Sequence, residues 1–301
     1  MSSFRSAVVR TPTGPDSITI IRVQQAEPGP GEARVAVAAA AVNPVDLATA
    51  SGLFHSRGLV HQPHHTGLGW DFAGTVSSTG PGVDLPVGAR VAGLVAGFDR
   101  DFGTYAEQLL LPAADVAVVP DGLDLATAAT VPLNGLAAAQ AADLLGEGHG
   151  RQLLVTGAAG AVGAYVVALA QDRGWHVTGL ARAEDEDFVR GLGAGFVRAP
   201  GRRWDAVVDA AVLHADAIST VRDGGTYIGL QPGNAPAGER GIATREVVAA
   251  PDGARLAALF AAVAEGRLAA RVHAVVPLAR VADVHREVAK GGVRGKYVLQ
   301  P

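Results

Sequence analysis

Three glycines in the middle of the chain have the spacing of a phosphate-binding loop. Gly157, Gly160 and Gly163 lie in the stretch LLVTGAAGAVGAYVVALAQDRG, whose pattern predicts a strand, a turn and a helix. The first glycine permits a tight turn, the second lets backbone approach a pyrophosphate, and the third lets the helix pack closely. The helix N-terminus adds N–H groups and the positive end of its dipole. The pattern predicts a dinucleotide-binding loop, made of Gly157, Ala158, Ala159, Gly160, Ala161, Val162 and Gly163.

The end of the next predicted strand bears on the choice between NAD and NADP. An NAD site usually places an acidic residue about 20 residues beyond the loop, where it binds the ribose 2′-OH. Here Ala181 and Arg182 occupy that position, and the acids Glu184–Asp187 follow at the start of a helix. An arginine can contact a 2′-phosphate with two hydrogen bonds. The sequence therefore favours NADPH, with a solvated surface arginine as the alternative.

The elements that position this loop change character along the chain. Up to about Pro120, short β-branched or alternating runs such as Ser17–Val23 and Ala33–Val42 are separated by turn residues, which predicts a β-rich, barrel-like domain. Leu125–Leu145 is rich in alanine and leucine and predicts a helix. From Leu153 onward, strands are predicted at Leu153–Thr156, His176–Leu180, Phe196–Arg198, Ala206–Asp209, Thr226–Leu230 and Glu246–Ala250. The segment between Phe196 and Ala206 is too short for a crossover helix and predicts a loop.

This second half alternates between strands and helices, which is typical of a doubly wound parallel sheet. After Asp252 the sequence predicts a helix, a strand, another helix and a final strand, and this tail does not continue the alternation. The fold class is therefore α/β, a Rossmann sheet together with a β-rich domain.

Composition excludes several classes of function. The chain has 301 residues, 49% of them hydrophobic, a net charge of −4 and no cysteine. The absence of cysteine rules out disulfides, thiol nucleophiles and cysteine-ligated zinc. No basic block supports nucleic-acid binding. The N-terminal stretch lacks the apolar core of a signal peptide, and no apolar run reaches the roughly 18 residues of a membrane span. A soluble, cytoplasmic protein is expected.

A series of motifs extends along nearly the whole chain. In order, they are PGPGEARVAVAAAAVNPVD, GWDFAGTV, VGARVAGLV, GTYAEQLLLP, LATAATVPLNGLAAAQ, VTGAAGAVG, DGGTYIGL and GKYVL. This series resembles the medium-chain dehydrogenase/reductase superfamily, and most of all its zinc-independent quinone oxidoreductase and enoyl reductase branch. The resemblance implies a GroES-like catalytic domain that is split in sequence. Its first part spans residues 1–122, the Rossmann NADP-binding domain spans 123–250, and the catalytic domain returns at 251–301.

The resemblance also implies which residues bind the cofactor and act on the substrate. Asn43 and Asp46, in the Asn-Pro-x-Asp segment, are the candidate catalytic residues. Asn43 can donate its amide hydrogens to a developing oxyanion beside the nicotinamide, with a structural Asn-Pro turn as the alternative. Asp46 is a poor acid and more readily makes a backbone or ribose contact. The further candidate cofactor-binding residues are Asn43, Asn134, Gly229, Leu230 and Lys296, with a surface lysine at a strand end as the alternative for Lys296.

Two departures from the zinc-dependent relatives matter. Where those proteins have cysteine and Gly-His-Glu ligands, this chain has Asn43 and the triplet Gly69–Asp71, so no metal is expected. Ala137 stands where many relatives carry a threonine near the nicotinamide, and Asn134 is a candidate replacement.

The histidines of HSRGLVHQPHH, at 55, 61, 64 and 65, suggest a metal site, but the Pro/Gly-rich segment lacks an interleaved carboxylate and predicts an exposed or substrate-lining loop.

These observations predict an NADPH-dependent reductase of quinones or α,β-unsaturated carbonyls that acts on a small-molecule substrate. The resemblance also implies a homodimer formed near Glu246–Ala250. The alternative is a catalytically weak NADPH-binding sensor or structural protein. A short-chain reductase is excluded because none of the four tyrosines is followed by lysine four residues later.

Overall fold

The computed structural model describes residues 3–201 and 203–301. The chain divides into two compact units. The first unit is Met1–Leu133 with Pro251–Ala264 and Ala270–Pro301, and the second is Asn134–Ala250 with Glu265–Ala269. Residues 123–133 group with the first unit and residues 265–269 with the second, and the chain enters the first unit again at residue 251.

The first unit is built mainly from antiparallel strands. Its elements are β1 (Ser3–Val9), β2 (Ile18–Gln24), β3 (Glu32–Ala41), α1 (Pro44–Ala50), α2 (Leu53–Ser56), β4 (Thr66–Gly67), β5 (Asp71–Thr79), β6 (Arg90–Leu94), β7 (Gln108–Pro112), β8 (Val116–Val118) and α3 (Leu125–Ala129). One sheet has the order β2-β1-β4. Apolar residues of β1, β3 and β5 hold these strands together, since Val9, Val35 and Phe72 pack with Tyr105 in one buried core.

The second unit is a parallel sheet with helices between its strands. Its elements are α4 (Pro132–Leu145, whose first two residues belong to the first unit), β9 (Gln152–Thr156), α5 (Ala161–Asp172), β10 (His176–Leu180), α6 (Glu186–Gly191), β11 (Gly195–Val197), β12 (Trp204–Asp209), α7 (Ala215–Ser219), β13 (Val221–Gly229) and β14 (Ala243–Glu246). The strand order is β11-β10-β9-β12-β13-β14, with every pairing parallel. Central strands such as β12 are buried and apolar, as parallel strands covered on both faces require.

The chain then returns to the first unit and completes its larger sheet. The returning elements are α8 (Gly253–Ala264), β15 (Val272–Pro277), α9 (Val281–Ala289) and β16 (Lys296–Gln300). The sheet runs β15-β16-β3-β5-β6-β8, and β7 also pairs with β3. β16 is antiparallel to β3, with Val298 opposite Ala41, so the last strand of the chain lies beside the end of β3.

The register of the parallel sheet aligns the carboxyl ends of its strands. Thr156 pairs with Leu180 on one side and with Asp209 on the other. Asp209 pairs with Gly229, which pairs with Glu246. From β9 the chain first adds β10 and β11 on one side, and it then continues with β12 and β13 on the other side of β9. The strand order therefore reverses between β9 and β12. A crevice at such a reversal is where α/β sheets bind ligands.

Most elements lie where the sequence predicted them. The segment 198–203 between β11 and β12 contains no helix among its described residues. Two predictions were wrong in detail. The helix at Leu125–Leu145 is broken before Pro132, because proline lacks the N–H needed in a helix interior and fits only its first turn. The strand predicted at Glu246–Ala250 is Ala243–Glu246, since pairing with β13 ends at Gly229. Among the described residues, no helix is both long and apolar enough to cross a bilayer.

Candidate active site

Asn43 is placed by the junction of β3 and α1. It is the N-cap of α1 in extended conformation, and Pro44 follows as the first helical residue, where its missing N–H costs nothing. Its side chain is 1% exposed. The amide Nδ2 donates to Asp71 Oδ2 at 2.7 Å, and the amide oxygen accepts from Lys296 Nζ at 2.6 Å. The amide therefore links a carboxylate to an ammonium group.

Asp46 is fully buried and fixes the backbone around this amide. Its carboxylate accepts the backbone N–H groups of Asn43 at 2.8 Å and Gly69 at 3.0 Å. Tyr105, also fully buried, donates its hydroxyl hydrogen to the same carboxylate at 2.9 Å. Gly69 has a φ of +94°, and a Cβ there would stand 2.4 Å from atoms of Thr104 and Tyr105, so only glycine brings this N–H to the carboxylate.

Asp71 and Lys296 complete the network from two other strands. Asp71 opens β5, is fully buried, and accepts the backbone N–H of Leu133 at 2.6 Å through the oxygen that does not face Asn43. Lys296 opens β16 and is part-buried. It reaches Asn43 because Val42 N donates to Tyr297 O at 2.9 Å, which ties the end of β3 to the start of β16.

Burial shifts the ionisation of all four titratable groups in this network. Burial raises the pKa of Asp71 to about 7, against the lowering effect of the Asn43 and Leu133 hydrogen bonds. It raises the pKa of Asp46 to about 6 and that of Tyr105 well above its usual range. It lowers the pKa of Lys296, although Asp71 and Asp46 act in the opposite direction. Carboxyl groups that titrate near neutrality suit proton transfer.

The predicted phosphate loop has the geometry that its glycines require. Gly157 has a φ of +61°, in the left-handed region that favours glycine. A Cβ at Gly163 would stand 2.2 Å from Gly157 O, so the start of α5 packs against the turn only without a side chain there. Gly160 is the N-cap of α5, and no side chain caps it. The first turn of α5, with Ala161 and Val162, therefore offers N–H groups to an anion, and this cradle fits a dinucleotide phosphate.

Beside the loop, two acidic side chains organise the carboxyl edge of the sheet. Asp209, at the end of β12, accepts from Thr156 Oγ1 at 2.6 Å and Tyr227 OH at 2.9 Å, and from two backbone N–H groups of the following loop. Glu246, at the end of β14, accepts the N–H groups of Gly233, Asn234 and Ala235. Two of the candidate cofactor-binding residues, Gly229 and Leu230, line a narrow recess together with Asp209 and Tyr227.

Arg182 lies just beyond the end of β10, as the sequence placed it. Its Nε is 3.4 Å from Glu184 Oε1 and 3.6 Å from Asp185 Oδ2, and its side chain is 54% exposed. A 2′-phosphate at this position would compete with the two acids for the guanidinium.

Asn134 and Ala137 lie in α4 and are buried. Ala158 and Ala159 are buried within the loop.

The four clustered histidines do not converge. His55 Nε2 is 3.1 Å from Thr66 Oγ1, His61 pairs with Asp99 at 3.0 Å, and the His65 ring packs against Phe102. His64 is exposed. Within residues 3–201 and 203–301, no group of three or more potential metal-ligating side chains of histidine, cysteine, aspartate or glutamate is close enough to hold an ion.

The structure thus joins three predicted residues, Asn43, Asp46 and Lys296, in one hydrogen-bonded network. It adds two residues that sequence reasoning did not select as site residues, Asp71 and Tyr105. Asp71 could have been selected from the sequence, since an acidic residue follows the pair Gly69-Trp70 at the start of a predicted strand and a buried carboxylate needs a partner. Tyr105 could not, because a buried tyrosine has the same sequence context as any core aromatic.

Comparison with known proteins identifies the family. Residues 29–121 match the alcohol dehydrogenase GroES-like domain, and residues 175–299 match the zinc-binding dehydrogenase family. The chain belongs to the medium-chain dehydrogenase/reductase superfamily. Its relatives and structural neighbours include quinone oxidoreductases and enoyl reductases, and the structural neighbours also include alcohol dehydrogenases.

Three relatives show how far the likeness extends. A component of the pikromycin polyketide synthase of Streptomyces venezuelae is 38% identical over 55% of this chain, which spans only 4% of that protein. The NADPH-dependent alkenal/one oxidoreductase of Arabidopsis thaliana chloroplasts is 28% identical over 89% of this chain and 71% of its own length. The quinone oxidoreductase from Coxiella burnetii has a TM-score of 0.89 with complete coverage of both chains at 24% identity, and shows the fold.

Proposed function

We propose that the protein is an NADPH-dependent, zinc-independent oxidoreductase that transfers a hydride to a quinone or an α,β-unsaturated carbonyl compound. The observation that carries the proposal is the glycine cradle at the N-terminus of α5, located where the strand order of the parallel sheet reverses. The named activity of the alkenal/one oxidoreductase relative supports the substrate class.

The cofactor supplies the hydride, and the chain's own residues bind and orient the reactants. The loop from Gly157 to Gly163 would hold the pyrophosphate through backbone N–H groups. Gly229, Leu230 and Asn134 are the proposed contacts for the rest of the dinucleotide. Arg182 is the proposed contact for a 2′-phosphate, which distinguishes NADPH from NADH, since the chain lacks an acid at that position.

Reduction of a carbonyl-activated double bond places negative charge on the carbonyl oxygen, and donors must stabilise it. Asn43 gives one Nδ2 hydrogen to Asp71, so Lys296 is the better donor to the substrate. Its Nζ uses one contact on Asn43 Oδ1 and is part-buried. Asn43 would then act by orienting Lys296, and Asp46 by fixing the Asn43 and Gly69 backbone.

The experiment is a turnover assay with purified protein, NADPH, and separate panels of quinones, conjugated enones and unconjugated ketones, followed by the absorbance of the reduced nicotinamide. The proposal expects oxidation of NADPH with quinones or enones and none with unconjugated ketones. Cofactor binding by fluorescence titration without turnover on any compound would reject it in favour of the alternative, a cofactor-binding sensor.

A homodimer is part of the proposal. β14 is at the edge of the parallel sheet and pairs only with β13 in the described chain. An unpaired strand edge can pair with a second copy. Sedimentation analysis of the purified protein tests this point, and a monomer across the working concentration range would contradict it.

A further inference from the structure

The orientation of the Asn43 amide is dictated by its two partners. An ammonium group only donates hydrogen bonds, and an ionised carboxylate only accepts them. Lys296 must therefore face the amide oxygen, and Asp71 must face the amide nitrogen, as the 2.6 Å and 2.7 Å contacts show. Turning the amide by half a rotation would place two donors against each other at one end and two acceptors at the other.

The Asp71 carboxylate is also bound by a backbone N–H group, which can act only as a hydrogen-bond donor. Its second oxygen accepts the N–H of Leu133 at 2.6 Å. One oxygen is thus committed to Leu133 and the other to Asn43. The side chain is 0% exposed, so no bulk water competes for either position.

We propose that Asp71 is a positioning residue, which acts through Asn43 to hold the amide oxygen toward Lys296 and so keeps that ammonium charged and fixed for the substrate's carbonyl oxygen. The catalytic part of this inference rests on the proposed reductase function. The electrostatic part, that Asp71 sets the charge of Lys296, does not depend on any substrate.

Other charged groups around the network are accounted for. From α1, Asp46 interacts with Lys296 and is bound by Tyr105, and Arg100 interacts with Asp46. On β15, the His273 ring lies 4.6 Å from the ring of Tyr297, the neighbour of Lys296. Because burial raises the pKa of Asp71 to about 7, acidification gives this carboxyl an O–H. That O–H can donate to the Asn43 oxygen after the amide turns, and Lys296 then loses its acceptor.

Asp71→Asn is the direct test, since it imitates the protonated carboxyl at every pH. Leu133 N–H retains an acceptor in the new amide oxygen, so the new NH₂ group faces Asn43. Asn43 must turn its oxygen toward that group and present its own NH₂ to Lys296. The matched rescue is Asp71→Asn combined with Asn43→Asp, in which the carboxylate at 43 accepts from both neighbours and the net charge is unchanged.

The chain suits a direct reading of the lysine charge, because Lys290 and Lys296 are its only lysines. Protein labelled with ¹³C at the lysine side chains gives two titrating NMR signals, and Lys290→Arg assigns them. Lys290 is exposed and pairs with Glu287 at 2.7 Å, so it is an internal control. We expect Asp71→Asn to move the Lys296 midpoint to lower pH, the double variant to return it to or above the wild-type value, and Lys290 not to move.

An unchanged Lys296 midpoint in Asp71→Asn, or no recovery in the double variant, would overturn the proposal. If Asp71→Asn does not fold, the wild type alone decides, because the Lys296 signal should also respond as Asp71 gains its proton, and a Lys296 signal that shows only its own titration would overturn the proposal. In the turnover assay Asp71→Asn should lower kcat about tenfold, the value of one charge-assisted hydrogen bond, with little change in KM for NADPH. If the wild type reduces nothing, the proposed function fails while the NMR result still tests the electrostatic link.

Discussion

Tyr105 donates its hydroxyl hydrogen to Asp46 at 2.9 Å in a part of the first unit where both side chains are fully buried. The two residues come from the segment before β7 and from α1, so the bond joins the large sheet to the helix that carries Asn43. The carboxylate's other contacts are backbone N–H groups of Asn43 and Gly69. Of the three hydrogen bonds that this buried carboxylate accepts, Tyr105 therefore supplies the one from a side chain.

Tyr105→Phe should destabilise the protein in a pH-dependent way. The pKa of Asp46 is raised by burial to about 6, so at alkaline pH the variant leaves an ionised carboxylate with one donor fewer. We expect a loss of about 1–3 kcal/mol in the free energy of unfolding near pH 8 and a smaller loss near pH 5. Urea denaturation at both pH values measures it, with Tyr297→Phe as the control for removing a half-buried hydroxyl. An equal loss at both pH values would contradict the role assigned to the hydroxyl.

His285 on α9 should lower stability in acid. Its ring is 0% exposed, lies edge-on to Tyr105 at 5.9 Å, and neither ring nitrogen has a hydrogen-bond partner in the described chain. Burial lowers its pKa from 6.5 to about 4. The unfolded chain therefore binds a proton below about pH 6.5 that the folded chain does not bind until about pH 4, and stability falls as pH falls through that window.

His285→Leu removes this group, so its stability relative to wild type should rise by about 3 kcal/mol between pH 7 and pH 4. The difference between the two proteins is the quantity to measure, because the raised pKa values of Asp46 and Asp71 change stability in the opposite direction in both. His64→Gln, at an exposed histidine, is the control. A difference that stays constant with pH would show that His285 titrates normally.

Gly163→Ala should destabilise the second unit and weaken cofactor binding. Alanine in a helix interior usually stabilises by about 0.5–1 kcal/mol relative to glycine. Here the new Cβ would stand 2.2 Å from Gly157 O, so the turn must open. The matched control is Gly191→Ala in α6, where a Cβ meets no atom within 4 Å. Thermal unfolding and NADPH fluorescence titration should both separate the two variants, and equal behaviour would reject a closely packed loop.

Arg182→Ala should weaken NADPH binding about ten- to a hundredfold and NADH binding much less, because a charge-assisted contact contributes about 1.5–3 kcal/mol. Arg222→Ala is the control. Arg222 is 53% exposed and pairs with Asp205 at 2.8 Å, near the amino end of β13 and away from the carboxyl edge of the sheet. Fluorescence titration with each cofactor gives the ratio, and equal losses for the two cofactors would reject the assignment of Arg182.

The sequence by itself determined the features that consist of neighbouring residues. The strand, glycine turn and helix around Gly157 were predictable because they occupy one short segment, and the local backbone dictates what each glycine permits; phosphate binding by this turn stays a prediction. The parallel sheet followed from the alternation of strands and helices. The strand at Glu246–Ala250 was misplaced by a few residues, because its ends depend on pairing with β13 rather than on its own apolar run.

The polar network was decided by tertiary structure alone. Asn43 meets Asp71, 28 residues later, and Lys296, 253 residues later, while Asp46 meets Tyr105 across 59 residues. These encounters depend on the antiparallel pairing of β16 with β3 and on the turn that carries Gly69 to Asp46. No local pattern encodes such pairing, since strand registers are set by the burial of whole sheets, and only the folded chain shows which buried charges face one another.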